Sequence, residues 1–445
     1  MPPDPEPAIV QRVIAPAPFA TAWPSAIRAL RHYNYRLMWG GNFVSNIGTW
    51  MQQAAQQWLV YKLSGDSALW LGITAAAGDV PMAAFLVLGG LLADRFDRRK
   101  TLILTNAASG ILALILAVLT WTGTVRVWCI VCLAFGTGMA DALRIPAGQS
   151  LIPNLVGEED VPNALALSSM QFNASRVLGP ALGGLVLVTL GAGASFALNA
   201  LSFLGVIVAM VAMVNPPPRG EVKETMGQSL LRGLGYVRRR ADLVMMLSLL
   251  VIGGVLGAPL SRMLAAIASE VYHGGKELFT ILLVCYGVGA VIGAATVAYG
   301  ARHGRMAPWR SFPVMIALGG CTVALGLGGP VWLAGALVMA AGAGFTGSMV
   351  RISASSLNST PHDMQGRVSS FQVLCGRAGA PVGSFGAGYL AQRLGLARVL
   401  YVMGASLIAV VLCMMVAARR WKITYQGDQV AEGSTTAAPE AITDD

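Results

Sequence analysis

Asp79, Asp141, Arg144 and Arg176 are charged residues that stand inside long apolar runs. A charge at mid-depth in a bilayer costs about 2.5–3.5 kcal/mol on insertion scales, so it is either half of an ion pair between helices or part of a pathway. Asp79 lies between Ala76-Ala77-Gly78 and Val80-Pro81. Gly78 and Pro81 loosen a helix locally. A carboxylate in a poorly solvated site can gain and lose a proton near neutral pH. Asp141 and Arg144 are three residues apart and share a helix face. They form either a static bridge or one that breaks when Asp141 takes a proton. Arg176 stands at mid-depth in the fifth apolar run, Arg351 and Arg377 hold similar places later, and Arg262 falls in the seventh run nearer one surface. The later half of the chain has intramembrane bases but no acids. These arginines point to an anionic or polyphenolic cargo, unless backbone carbonyls hold them.

Two neutral patterns accompany the charges. Asn42, Asn46, Gln53 and Gln57 are spaced to fall on one stripe of a helix. Such a stripe serves either helix–helix hydrogen bonding or the wall of a wet cavity, with Trp50 and Trp58 as aromatic neighbours. Gly179 and Gly183 give a small face for close helix contact. Pro180 between them permits a kink. Packing plus a kink suits a helix that pivots, and packing alone also explains it.

The elements that position these groups follow from composition. The chain has 445 residues, 55% hydrophobic and only 12% charged. A soluble protein carries roughly a quarter charged residues. Repeated apolar stretches long enough to cross ~30 Å of hydrocarbon mean a polytopic membrane protein. The spans must be helices, because lipid offers nothing to unpaired backbone groups. Twelve are read: 36–61, 69–93, 101–123, 127–152, 163–189, 193–214, 243–268, 278–301, 308–327, 330–357, 367–390 and 396–418. They divide into an N-terminal tail (1–33), a six-helix bundle (34–214), a linker (215–242), a second six-helix bundle (243–419) and a C-terminal tail (420–445). The tail is Pro-rich before the first span, and no cleavable signal peptide is expected.

The net charge of +10 resides largely in loops. One set carries Arg95, Arg98, Arg99 and Lys100, then Arg219 to Arg240, then Arg302, Arg305 and Arg310. The opposite set carries Lys62, Arg126, Lys276, Arg393 and Arg398. The surplus places both termini in the cytoplasm and argues against nucleic acid as a partner. The acidic stretch Gly157-Glu158-Glu159-Asp160 runs against the trend.

The halves repeat one another. At an offset of 207, Arg95, Arg98 and Arg144-Ile145 fall on Arg302, Arg305 and Arg351-Ile352. At an offset of 201, Ser168, Ser169, Gln171, Arg176 and Pro180 fall on Ser369, Ser370, Gln372, Arg377 and Pro381. Polar matches in three helices at near-constant offset indicate duplication.

Between the second and third runs stands Gly90-Leu91-Leu92-Ala93-Asp94-Arg95-Phe96-Asp97-Arg98-Arg99-Lys100. It resembles the loop motif of the major facilitator superfamily, with Asp97 where that motif has Gly. Asp tolerates left-handed dihedrals, so it is expected to make the turn in that conformation. Asn34-Tyr35-Arg36-Leu37-Met38-Trp39, Ser45-Asn46-Ile47-Gly48-Thr49-Trp50 and Asn173-Ala174-Ser175-Arg176-Val177-Leu178-Gly179-Pro180 are similar to the bacterial secretion-effector subgroup, which includes siderophore and macrolide exporters. Gly-Pro-x-x-Gly-Gly (Gly179, Pro180, Gly183, Gly184) is similar to the end of the superfamily's antiporter motif.

The resemblance implies an all-α membrane fold of two pseudo-symmetric six-helix bundles with the substrate held between them. It puts the first span against the cavity, which favours the wall reading of the amide stripe. It implies that Asp94, with Arg98 as partner and Gly90, Arg95 and Arg99 beside it, helps close the cytoplasmic side. The expected activity is proton-coupled efflux of a small organic molecule across a bacterial inner membrane by a monomer. Proton-linked uptake is the alternative, and a non-transporting scaffold or enzyme a more distant one.

No cofactor or metal is expected. Cys129 and Cys132 form a C-x-x-C without a second pair or a nearby His. Gly342-Ala343-Gly344-Phe345-Thr346-Gly347 mimics a dinucleotide loop but has no strand before it.

Overall fold

The computed structural model describes residues 25–95, 97–214, 233–303 and 307–420, and within these all side chains but those of residues 83, 85–95, 302, 362, 363, 366, 370 and 377. The described chain is helical. Its long helices are α1 (Tyr33–Leu63), α2 (Ala68–Arg95), α3 (Arg98–Trp121), α4 (Val127–Leu155), α5 (Val161–Thr189), α6 (Ala192–Val211), α7 (Ala241–Arg262), α8 (Lys276–Arg302), α9 (Ser311–Gly326), α10 (Val331–Asn358), α11 (His362–Leu394) and α12 (Leu396–Arg420). They coincide with the twelve expected spans, most extended by a few residues. Among the described residues, nine helices are long and apolar enough to cross a membrane. The other three are α1 and α11, which carry several amides and arginines, and α2, part of which lies outside the described side chains.

Successive helices run back and forth, so both described ends of the chain lie at one end of the bundle, here the near end. All six turns at the far end pass through a residue with positive φ, among them Gly65, Gly123, Gly191 and Gly395. A left-handed residue ends a helix tightly and satisfies its last carbonyls. The near-end turn at Asp97 departs from the sequence expectation. Asp97 is extended, with φ −62° and ψ 119°, and its side chain accepts from the Lys100 amide at 2.9 Å. It is the N-cap of α3, because a short carboxylate at that position satisfies an otherwise unpaired amide.

The seventh span also departs from the single helix expected over 243–268. A π segment, Gly253–Gly257, interrupts α7. The chain then breaks at Met263 and resumes as Leu264–Ala266 and a second π segment, Ile267–Val271. Pro259 explains the first irregularity, since its ring excludes the carbonyl four residues earlier and it has no amide to donate. A π bulge absorbs that mismatch.

Helix pairings repeat between the halves. In the first, α1 packs on α5, α2 on α4, and α3 on α4 and α6. In the second, α7 packs on α11, α8 on α10, and α9 on α10 and α12. The halves meet through α2 against α11 and α5 against α8. Leu104, Ile111, Leu114 and Val118 of α3, with Leu201, Leu204 and Val208 of α6, are exposed. Contiguous exposed apolar faces of this kind need lipid to cover them, and the protein is a multi-pass membrane protein.

The acidic loop that opposed the charge trend has a structural role. The buried Asp160 carboxylate takes the Arg28 guanidinium, Arg31 Nη2 at 2.9 Å and His32 Nε2 at 2.8 Å. Asn163 accepts from the Ala29 amide at 2.9 Å and donates to the Ser25 and Ala26 carbonyls. Together they clamp the short helix Ser25–Arg31 to the start of α5. The hydrogen bond from His32, then the arginines, hold the Asp160 carboxyl below its usual range. The clamp is therefore at full strength above the ordinary carboxylate pKa and weakens only as pH falls below it. The linker at 215–232 and the tails at 1–24 and 421–445 lie outside the described residues.

Candidate functional site

A cavity of ≈ 220 Å³ opens within the first half, at its border with the second. Its lining comes from α1, α2, α3, α4, α5 and α6, with Arg262 the single second-half residue among those described. Asn46, Gln53 and Gln57 line it, as the stripe predicts, while Asn42 does not. Gln52 and Gln56 join them, so the amide wall is wider than one stripe. Gln52 Oε1 accepts from Asn199 Nδ2 at 2.7 Å. The Gln57 Oε1 is buried without a partner among the described residues. Trp50 lines the cavity, whereas Trp58 lies outside it and stacks on Phe279 of the other half, ring centres 5.7 Å apart.

Both candidate acids line the cavity, and each is paired with an arginine. Arg144 bonds Asp141 through Nε at 2.9 Å and Nη2 at 2.8 Å, within α4. Asp79 has a different kind of partner. Arg262 Nη2, on α7, reaches its Oδ2 at 3.2 Å, across the boundary between the halves. Two acids and two bases leave the cavity formally neutral. Sequence reasoning did not link Arg262 to Asp79. The only local signal was a cation beside Pro259, and the partner is 183 positions away.

The remaining candidates divide. Arg176 is partly buried over the Trp50 ring, 5.5 Å from its centre, just behind the cavity wall. Arg351 lines a separate cleft within the second half. Gly90, Asp94, Arg95 and Arg377 lie, beyond their helical backbone, outside the described residues. Arg98 donates to the Ser150 carbonyl at 3.1 Å and Arg99 to the Val211 carbonyl at 2.8 Å, fixing the start of α3 to α4 and α6.

The helix-five residues join two interfaces. A Cβ on Gly179 would lie 2.9 Å from the Ile47 carbonyl, and one on Gly183 2.8 Å from Met51 Cα, so this face is pressed onto α1. Gly184 faces Thr280 of α8 in the other half. Pro180 is buried, and α5 runs through it without interruption.

The halves touch at the far end. Gly72 and Gly388 let α2 and α11 touch backbone to backbone, since a Cβ on Gly72 would lie 2.3 Å from the Ser384 carbonyl. The Tyr61 hydroxyl donates to Glu270 at 3.2 Å, and Lys276 donates to the Val188 carbonyl at 3.1 Å. Burial pushes the Glu270 carboxyl above its usual range.

Solved structures share this architecture. Among them is a nucleoside transporter, NupG, with a TM-score of 0.66 at 11% identity over 86% of this chain and 98% of that one. A bacterial homologue of the human lysosomal transporter Spinster, in an inward-facing and unoccupied conformation, gives 0.65 at 13% identity over 87% and 95%. These likenesses define the class: an all-helical membrane protein with the major facilitator fold. The transmembrane secretion effector family model matches residues 24–434, and the chain belongs to that family. It is not an enzyme family. The chain is 28% identical to the enterobactin exporter EntS of Escherichia coli O81 (strain ED1a) over 61% of its length and 64% of that protein's. It is 23% identical to the staphyloferrin A transporter of Staphylococcus aureus (strain NCTC 8325 / PS 47), over 58% and 65%. The chain thus spans just under two thirds of each of these relatives.

Proposed function

We propose that the chain exports a small organic molecule, such as a drug, siderophore or secreted metabolite, by alternating access driven by protons returning inward. The near end faces the cytoplasm of a bacterial inner membrane, and residues 34–214 and 243–419 rock as two units on the linker. The observation that carries this reading is the Asp79–Arg262 pair, an acid of one half tied to a base of the other inside the cavity. A proton on Asp79 cancels the charge that holds Arg262, so proton binding trades against a contact between the halves. One proton falling through ~150 mV yields about 3.5 kcal/mol. That sustains a gradient of roughly 300-fold for a neutral solute. The named activities of the two relatives support a siderophore-like cargo. Asp94 is assigned the near-end gate, on the loop-motif resemblance.

One observation favours proton-linked uptake instead. Arg262 is 29% exposed and Asp79 16%, so the base is the more open partner. An anionic cargo drawn to Arg262 would leave Asp79 free to take a proton, and the two would travel together. Export by exchange needs a cargo that binds better once Asp79 has lost its proton.

Inverted vesicles with an acid interior separate the two. Under export, adding a siderophore, macrolide or dye outside releases protons and reverses the quenching of a pH dye, and Asp79→Asn lowers that coupled flux at least tenfold. Under uptake, preloaded cargo leaves with the proton. Wild-type coupled flux in Asp79→Asn would remove Asp79 from the mechanism.

A further inference from the structure

A second concavity lies apart from the central one. α8 and α9 each pack on α10 but scarcely on each other, and the gap between them is a cleft of ≈ 460 Å³. Its walls are apolar or small, including Ile292, Val297, Leu318 and Ala343. Ile292, Pro313 and Ala317 are exposed, so the cleft opens on the protein surface. Among the described residues, Arg351 is the one charged residue that lines it.

The internal repeat shows why this arginine is unusual. Its first-half counterpart, Arg144, is neutralised by Asp141. At the same offset Asp141 becomes Ser348, a buried hydroxyl without a partner among the described residues. Arg351 has no ion pair or hydrogen bond there either. Another cation, Arg310, in the near-end turn before α9, is close enough to repel it. Arg310 lies over the half-exposed ring of Trp309, an arrangement that belongs at a membrane–water interface. Two guanidinium groups thus repel each other at this end of the cleft, and among the described residues neither is paired with a carboxylate.

Depth completes the picture. Along α10 the lining runs from Ala340 to Arg351, roughly 16 Å at ~1.5 Å per residue. Half of a ~30 Å hydrocarbon core is ~15 Å. On α9 the lining runs from Pro313, at the near-end start of the helix, to Cys321, just past its middle, so the cleft reaches from the near-end interface to about the midplane.

We propose that this cleft holds one acyl chain of an anionic phospholipid from the near-end leaflet, with the phosphate seated on Arg351 and Arg310. The apolar walls take the chain, and the paired cations select a net negative headgroup over a zwitterionic one. The site is independent of which solute the central cavity moves, and of the direction of transport.

Native mass spectrometry of the purified full chain tests it, with phosphatidylglycerol and phosphatidylcholine of identical chains as probes. One phosphatidylglycerol should be retained at least tenfold more tightly than phosphatidylcholine. The double variant R310Q/R351Q should lose that preference. Ala343→Trp, which fills the cleft and leaves both arginines, should lose the tightly held lipid. Glycerol 3-phosphate should not displace it at millimolar concentration. Equal retention of the two lipids by the wild type overturns the proposal without any variant being needed. So does a folded, monodisperse R310Q/R351Q that keeps the preference, an unchanged lipid count in Ala343→Trp, or displacement by glycerol 3-phosphate.

Discussion

Asp79 and Asp141 resemble each other in the sequence, each an acid at mid-depth in an apolar run, and the structure separates them by their partners. Asp141 and Arg144 belong to one helix, so their bridge survives any movement of the halves. Asp79 meets Arg262 only while the halves hold their present relation. The first pair should behave as a structural unit. Breaking it from one side leaves an uncompensated charge, whereas replacing both partners is much less damaging. A thermal-denaturation cycle of D141N, R144Q and the double variant should show a coupling of about 0.5–3 kcal/mol. Additive losses would mean the two do not act together. Depth alone nominated Asp79, whereas Asp141 was nominated by depth together with Arg144 three residues on. The Arg262 partnership was not legible, because no local pattern links residues on α2 and α7. The sequence resemblance offered Asp94, whose side chain lies outside the described residues, as the partner of Arg98, and the structure shows Arg98 on a carbonyl of α4.

At the scale of elements, the span boundaries were readable because apolar length is a property of contiguous residues. Irregularities were not. Asp97 caps α3 from an extended conformation, and α7 breaks at Met263, through hydrogen-bond geometry that a hydropathy pattern does not carry. α5 combines both lessons. Its small residues announced close packing, but only the structure shows two partners, α1 through Gly179 and Gly183, and α8 through Gly184. Gly183→Leu would drive a side chain into Met51 and its backbone. A loss of about 1–3 kcal/mol is expected from such overpacking, read as a lower unfolding midpoint in detergent. An unchanged midpoint would show that α1 and α5 can part freely there.

For the whole molecule, the contacts between halves named above lie from Asp79 to the far end, so the halves lean on each other on that side of the cavity. The contact is backbone on backbone at Gly72, where no side chain can rotate away. Gly72→Leu should therefore force α2 and α11 apart at the far end. In a background cleared of the six native cysteines, a cysteine placed at Ser384, which is buried where α11 meets Gly72, should then react several-fold faster with a membrane-impermeant maleimide applied to the far side. An unchanged rate would mean that this contact does not bar access from the far side. The twelve-helix count and the duplication were visible beforehand. The far-end contact was not, because it depends on how two like-built halves lean on each other.

By itself the sequence determined what lipid and water enforce locally: which segments are helical and long enough to span, where loops fall, that the halves are copies, and which polar residues sit where polarity is expensive. The tertiary structure alone decided the partners, pairing Asp79 with Arg262, sending Arg351 to a cleft of its own and using Asp160 to clamp the start of the chain. The reason is physical. The cost of placing a charge in an apolar run is set by its immediate surroundings, whereas the group that relieves the cost is set by packing between segments far apart in the chain.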